Sequence, residues 1–297
     1  MRKFWLEYKT LTETQKLDLM SYNTFFTDVT GLGEKYELDG ATNGGQYILA
    51  ARTKAADVIS GTMIFSAKRY YNDFVTFCDT ENGIIVFCMQ DPGDDQTLRR
   101  EVTLATCERT EAKANGSLEC PTTLQALTDW YIEAVETYED YEAQEGNFEG
   151  TTLDPSKLIS LGVQEAEVSL QIEPMIAGTA GVSWMIPEIG IVEYDAHGEE
   201  LSRTLKISCP SVFAKGDTFE LISNPQSLAV RAVPETTGPN LPSDRDLYWE
   251  IDQIQATPFI RTAPGITTYL YISAITESTA QTIPLGVTVT RRIYTHA

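Results

Sequence analysis

Residues 58–66 read Val58-Ile59-Ser60-Gly61-Thr62-Met63-Ile64-Phe65-Ser66, and residues 70–78 read Tyr70-Tyr71-Asn72-Asp73-Phe74-Val75-Thr76-Phe77-Cys78. The first stretch, rich in β-branched and apolar residues, predicts a strand. Its interruption at Gly61 marks a bulge or a close backbone approach. In the second stretch the period changes. Tyr70, Tyr71, Phe74, Phe77 and Cys78 recur at spacings of three and four, which places them on one face of a short helix. Such an aromatic stripe is a core face rather than a cofactor box.

Working outward, almost everything else is written in strands. Phe4-Trp5-Leu6 leads through a polar turn at Thr10 to Thr14 into Lys16-Leu17-Asp18-Leu19, an opening hairpin. Thr30-Gly31-Leu32-Gly33 is a glycine-punctuated connection to a strand at Lys35 to Leu38, and Gly44-Gly45 precedes Tyr47-Ile48-Leu49. After the helix, Asn82-Gly83 ends the element, Ile84 to Cys88 is a buried strand and Asp91 to Asp95 is a turn. Glu101 to Thr110 and Ser117 to Leu127 form a long hairpin around Asn115-Gly116. A two-residue turn there sets Ala114 opposite Ser117, Cys107 opposite Leu124 and Cys120 opposite Glu111, which leaves the two sulfurs on different rungs. With five cysteines and no CxxC, buried free thiols are expected, in a chain that folds in a reducing cytosol.

Residues 133–150 carry seven acids and no base, and no Lys or Arg occurs between Lys113 and Lys157. A solvated helix, a linker and an acidic calcium loop are all open. The Asp/Asn alternation with a fixed glycine that an EF-type loop needs is missing, so a solvated domain boundary is the better reading. Beyond it strands return at roughly ten-residue intervals, as in a β-sandwich. Glu167 to Ile172 alternates; Ile189 to Tyr194 and Leu201 to Ile207 bracket the turn Asp195 to Gly198; Phe219 to Leu221 and Leu228 to Val230 bracket Asn224-Pro225; Thr268 to Ile272 and Val287 to Ile293 complete the set.

The 297 residues carry 43 acids against 22 bases, a net charge of −21. That excludes the basic footprint of a nucleic-acid binder and docking on an anionic membrane. Met1 to Lys9 has charge on both sides of a very short apolar patch, unlike a signal peptide. The uncharged stretch Pro174 to Pro187 is too short to span a bilayer. A soluble chain is expected, at this length one of two domains. Walker, GxGxxG, HExxH and GxSxG signatures are absent. His197 sits in a hairpin turn and His296 is the penultimate residue, so both are expected to face solvent rather than serve a triad or a zinc site. Forty-three carboxylates could hold a glycosidase pair, but nothing singles one out. No catalytic, cofactor-binding or metal-binding residue is assigned, and no enzyme and no cofactor are expected. Carbohydrate binding is the stronger rival, with Trp184, Trp249, Tyr248 and Tyr269 as platforms on which a sugar could stack.

The ordered series resembles siphophage distal tail proteins. Phe4-Trp5-Leu6, Leu17-Asp18-Leu19, Thr30-Gly31-Leu32-Gly33, Ile59 to Phe65, Tyr71 to Phe77, Gly116 to Pro121 and Leu127-Thr128-Asp129-Trp130-Tyr131 are similar to that family's first domain in order and spacing. Lys215 to Leu221 and Thr262-Ala263-Pro264-Gly265-Ile266 are similar to its galectin-like second domain. The resemblance implies a mainly β chain of two domains. Residues 1–132 would be an N-terminal β-sandwich or barrel-like ring domain with one short helix, 133–160 an acidic linker or arm, and 161–297 a galectin-like β-sandwich. It also implies a non-enzymatic, homohexameric baseplate hub at the virion tail tip. Its partners would be further copies of itself, the tail tube protein, a tail-associated fibre or lysin, and receptor-binding proteins outside. A host-adhesion module that binds carbohydrate is the alternative. On this reading the acidic charge lets DNA pass the ring lumen without adhering.

Overall fold

Alternation and turn chemistry dominate the sequence, and the molecule is accordingly mainly β, with one α-helix among the described residues. The computed structural model describes residues 2–9, 14–33, 36–43, 46–54, 57–79, 84–142, 154–175, 183–201, 205–224, 228–235, 244–248, 259–277 and 281–295. The polar turn at 10–13, Lys35, the glycine pair at 44–45 and Asn82-Gly83 lie outside the described residues. Two compact units divide the chain, Met1–Ile132 with Tyr294–Ala297 and Glu133–Ile293.

The first unit contains β1 (Lys3–Lys9), β2 (Thr14–Asp18), β3 (Thr24–Thr30), β4 (Tyr36–Asn43), β5 (Gln46–Lys54), β6 (Val58–Phe65), α1 (Lys68–Cys78), β7 (Ile85–Gln90), β8 (Leu98–Cys107) and β9 (Leu118–Ala126). Seven strands pair antiparallel in the order β2-β1-β7-β8-β9-β6-β3. The Ser21–Asn23 turn joins β2 to β3, the two ends of that order, with Phe26 N donating to Leu19 O at 2.8 Å. The sheet therefore curls back on itself, barrel-like, around Leu6, Phe26, Phe65, Phe87, Val102 and Trp130. β4 and β5 pair with each other as a separate two-stranded sheet.

The period change after Ala67 is α1, which buries Phe74 and Cys78 and sets Phe74 5.5 Å and Tyr71 5.6 Å from the Phe65 ring. Gly61 is the close approach rather than the bulge. A Cβ there would stand 2.7 Å from both the Phe26 ring edge and Thr27 O. The bulge lies across the ladder in β3, between Thr27 and Thr30, where Asp28 takes φ 55°.

The Asn115-Gly116 hairpin differs from expectation by one residue in its neck. Gly116 N donates to Lys113 O at 2.8 Å, and Lys113 N to Ser117 O at 2.8 Å. Gly116 itself is left-handed at φ 81°. This is a three-residue loop, a turn followed by a glycine bulge, not a two-residue turn. A second irregularity between Leu104 and Thr106 shifts the arms again. On the loop side of that irregularity Cys107 faces Thr122, and beyond it Leu124 faces Leu104.

β10 (Tyr131–Glu142) crosses the boundary between the units, its residues from Glu133 belonging to the second. A 3-10 turn at Pro155–Lys157 precedes β11 (Ile159–Gly162), β12 (Ala166–Pro174), β13 (Ser183–Tyr194), β14 (Leu205–Ala214), β15 (Thr218–Ile222), β16 (Ala229–Val233), β17 (Arg245–Asp246), β18 (Ile260–Thr262), β19 (Thr267–Thr276) and β20 (Pro284–Tyr294). One sheet runs β17-β16-β15-β12-β20, with β18 also on β12, and the other runs β11-β19-β13-β14. Val168, Leu170 and Ile172 of the first sheet and Ile189, Ile191, Leu270 and Ile272 of the second share one core, which makes a sandwich.

Much of the stretch expected as a solvated linker or arm is strand up to Glu142, while 143–153 lie outside the described residues. Tyr138 and Tyr141 pack on the sandwich core. Three residues apart, they would point to opposite faces of a regular strand. Asp140, at φ 55°, shifts the phase between them.

Candidate functional site

The residues that sequence alone offers for chemistry are scattered or engaged in structure. His197 is exposed in the Asp195–Gly198 turn, where the Asp195 carboxylate accepts from the backbone N–H of His197 (2.8 Å) and Glu199 (2.9 Å); His296 lies outside the described residues. Among the described residues no group of three or more His, Cys, Asp or Glu could hold a metal ion. Three buried carboxylates are tied to donors. Glu7 accepts from Trp5 Nε1 (2.7 Å), Asp57 from Arg100 Nη2 (2.6 Å) and Glu188 from the Tyr271 hydroxyl (2.5 Å).

All five cysteines are free thiols, four buried and Cys107 half-buried. Burial, with Cys107 adding to it, pushes Cys78 up from 9.0 to about 12. Burial likewise lifts Cys107 to about 11, against the lowering effect of the Thr122 hydroxyl, which donates to its sulfur at 3.4 Å. Cys88 is raised by burial and then by Glu7. Thiols held so far from ionisation are poor nucleophiles and poor metal ligands.

The four aromatic candidates for a sugar platform separate clearly. Trp184 is fully buried, 4.7 Å from the Phe213 ring, with its indole N–H given to Ala214 O at 3.0 Å, so it is core and no platform. Tyr269 meets Tyr194 edge-on at 5.7 Å. Trp249 lies outside the described residues. Tyr248 faces a cavity. Its ring stacks on Phe259 at 6.3 Å and 19°, and the pair lines a cleft of about 480 Å³ with Leu228, Arg231, Asp244 and Asp246. Arg231 is oriented there by Glu220 (2.7 Å) and Asp244 (3.3 Å). Phe259 carries no periodic signal and is not found from sequence.

In the first unit the most constrained polar group is the pair Arg100–Asp57, 3% and 4% exposed. Arg100 Nε also donates to Thr128 O (2.7 Å), and its guanidinium lies 5.5 Å from the Trp130 ring. Gln125 Nε2 donates to Asp57 O at 3.0 Å. These contacts bind the entry to β6, the start of β8 and the exit of β9 into one rigid end. At the opposite extreme, the β8–β9 loop is exposed from Glu108 to Gly116.

Such a molecule offers surfaces and ends, with no convergent catalytic set among the described residues. Its sandwich and curled sheet define a structural class, and comparison with known proteins makes that class specific. Residues 3–127 match the family described as distal tail protein, N-terminal domain. No curated protein matches the chain. Over nearly the full length it is similar to a chain of the phage P2 baseplate in its activated conformation with Ca, at 13% identity, 98% of both chains and a TM-score of 0.65. It is similar also to a chain of the phage p2 baseplate with Sr, at 14% identity, 97% of this chain and 98% of that one, TM-score 0.63. The SPP1 Dit protein, described as a paradigm of the hub adsorption apparatus in phages that infect Gram-positive bacteria, aligns at 10% identity over 99% of both chains, TM-score 0.50. The resemblance to phage distal tail proteins read from the sequence therefore holds: residues 3–127 match the N-terminal domain of that family, and the chain along its length shares the mainly β fold of these solved chains.

Proposed function

We propose that this chain is the non-enzymatic ring hub of a phage tail tip. Six copies close through the first domain, residues 1–132. The galectin-like second domain, 161–297, projects outward, and 133–160 joins them. The ring links the tail tube protein to a tail-associated fibre or lysin, with receptor-binding proteins outside. The observation that carries this reading is the family match over residues 3–127 together with likeness in fold to baseplate proteins along the whole chain. Free thiols fit folding in the host cytoplasm. The charge of −21 fits a lumen that does not retain DNA. Light scattering on the purified chain tests it: about six times the 33.0 kDa chain mass is expected for a closed cyclic assembly. A lone chain at every concentration, even with tail partners added, overturns it.

A second reading has one observation in its favour, the parallel Tyr248–Phe259 pair beside Arg231, Asp244 and Asp246. Flat rings next to polar groups suit a saccharide. On that reading a glycan array gives signal that Tyr248→Ala abolishes, and a blank array removes it.

A further inference from the structure

The cleft beside Tyr248 and Phe259 carries an uneven charge. Arg231 on β16 gives Nε and Nη2 to one oxygen of Glu220, at 2.8 and 2.7 Å, and its Nη1 stands 3.3 Å from Asp244 Oδ2. The guanidinium is thereby spent on carboxylates of its own chain. Asp246 lies directly across the ladder from Arg231. Its Oδ1 accepts the backbone N–H of Tyr248 at 2.9 Å, and no cation among the described residues forms an ion pair with it. Arg245, between the two aspartates, points to the other face of the strand. Its guanidinium lies 5.8 Å from the Phe213 ring and donates to Val212 O at 3.2 Å. One guanidinium thus stands against three carboxylates. The sequence around the cleft keeps that sign, with seven acids and two bases from Asp217 to Phe259.

The apolar part of the cleft is the ring pair, nearly parallel at 19°, together with the exposed Leu228. At about 480 Å³ the space has the size of a small-ligand site. The C–H face of a sugar ring packs on flat aromatic rings whatever charge the sugar bears. The carboxylates then discriminate among sugars. A neutral sugar meets them through hydroxyls alone, and an anionic sugar is repelled. An ammonium group forms charge-assisted hydrogen bonds with an acceptor that has no cation of its own.

We propose that the cleft selects a saccharide with a free amine, a hexosamine whose ring lies on Tyr248 and Phe259 and whose ammonium group meets Asp246 and Asp244. The inference rests on the saccharide reading above and names the class of sugar. Calorimetric titration of the full chain at low salt tests it, with the glucosamine trimer, the N-acetylglucosamine trimer and cellotriose as probes. The glucosamine trimer should bind about 5-fold more tightly than either neutral trimer, the worth of a partly exposed charge pair, and the margin should shrink as salt rises. A chain of net charge −21 attracts cations at many places, so the variant Asp246→Asn supplies the site-specific readout. Asn keeps an acceptor for Tyr248 N and removes the charge, so the margin should fall while Tm and the affinity for the neutral trimers stay unchanged. Equal affinity for amine and neutral trimers, or a margin undiminished in Asp246→Asn, overturns the amine requirement and leaves the saccharide reading standing. Binding by none of the trimers overturns both.

Discussion

In the first unit seven strands curl around a core of rings, methionines and thiols, among them Phe26, Phe65, Phe74, Phe87, Trp130, Met63, Met89 and Cys120. In the second, two sheets face each other across an aliphatic core of Ile, Val and Leu, with Trp184 against Phe213 as its largest pair. The polar groups are spent differently too. The first unit buries an ion pair at one end and staples an exposed tyrosine at the other. The second keeps Arg231, Glu220 and Asp244 half-buried at the rim of a cleft. The family match falls on the first unit, on residues 3–127. The second is a sandwich with a cleft lined by Tyr248 and Phe259.

If the two units are built this differently, lesions should act on one and spare the other. The largest effect belongs to the sandwich: Trp184→Ala removes a fully buried indole and should destabilise the second unit by about 3–5 kcal/mol. In calorimetry its transition falls while that of the first unit stays in place. A shared fall would show that the units unfold as one.

Next comes Arg100→Met, which strands the Asp57 carboxylate in a site 4% exposed and should lower the first unit by about 3 kcal/mol. An effect below about 1 kcal/mol would mean that the clamp is incidental. Smaller still is Gly61→Ala, whose Cβ meets the Phe26 ring and Thr27 O at 2.7 Å and should destabilise by about 1–3 kcal/mol. Gly33→Ala, with nothing within 4 Å of its Cβ, is the control and should stay within about 0.5 kcal/mol. Equal losses at the two glycines would contradict the close approach.

The finest distinction lies in pH. Cys78 and Cys107 have folded pKa values raised above 9.0, so the folded state favours their protonated forms. That stability is whole below pH 9 and is lost as pH rises toward about 11 to 12. In the second unit Tyr138 and Tyr194 are raised. Burial and the bond to Glu136 lift Tyr138 from 10.0 to about 12, and burial raises Tyr194 as well. The Tm of the first unit should begin to fall near pH 9 and that of the second near pH 10. Falls in the reverse order would refute the assignment.

Period and punctuation made the local elements legible. The strand read at 58–66 is Val58–Phe65, the apolar run read at 84–88 is the strand Ile85–Gln90, and of the helix face read as Tyr70, Tyr71, Phe74, Phe77 and Cys78 the structure fully buries Phe74 and Cys78. Asn115-Gly116 announced a turn, but a dipeptide does not reveal whether its glycine closes the loop or bulges past it, and the register moved with that choice. The acids of 133–142 hid a strand, because Tyr138 and Tyr141 share a side only through the left-handed Asp140. Trp184 looked like a platform because an indole carries no mark of which face of a sheet it occupies. Asp57 and Arg100 stand 43 residues apart in the chain, and no periodicity reports such a meeting.

Electron-microscopy class averages of the purified full-length chain test the central claim most directly. Closed rings with sixfold symmetry are the predicted result. A field of single particles near 33.0 kDa, unchanged as concentration rises, would contradict it.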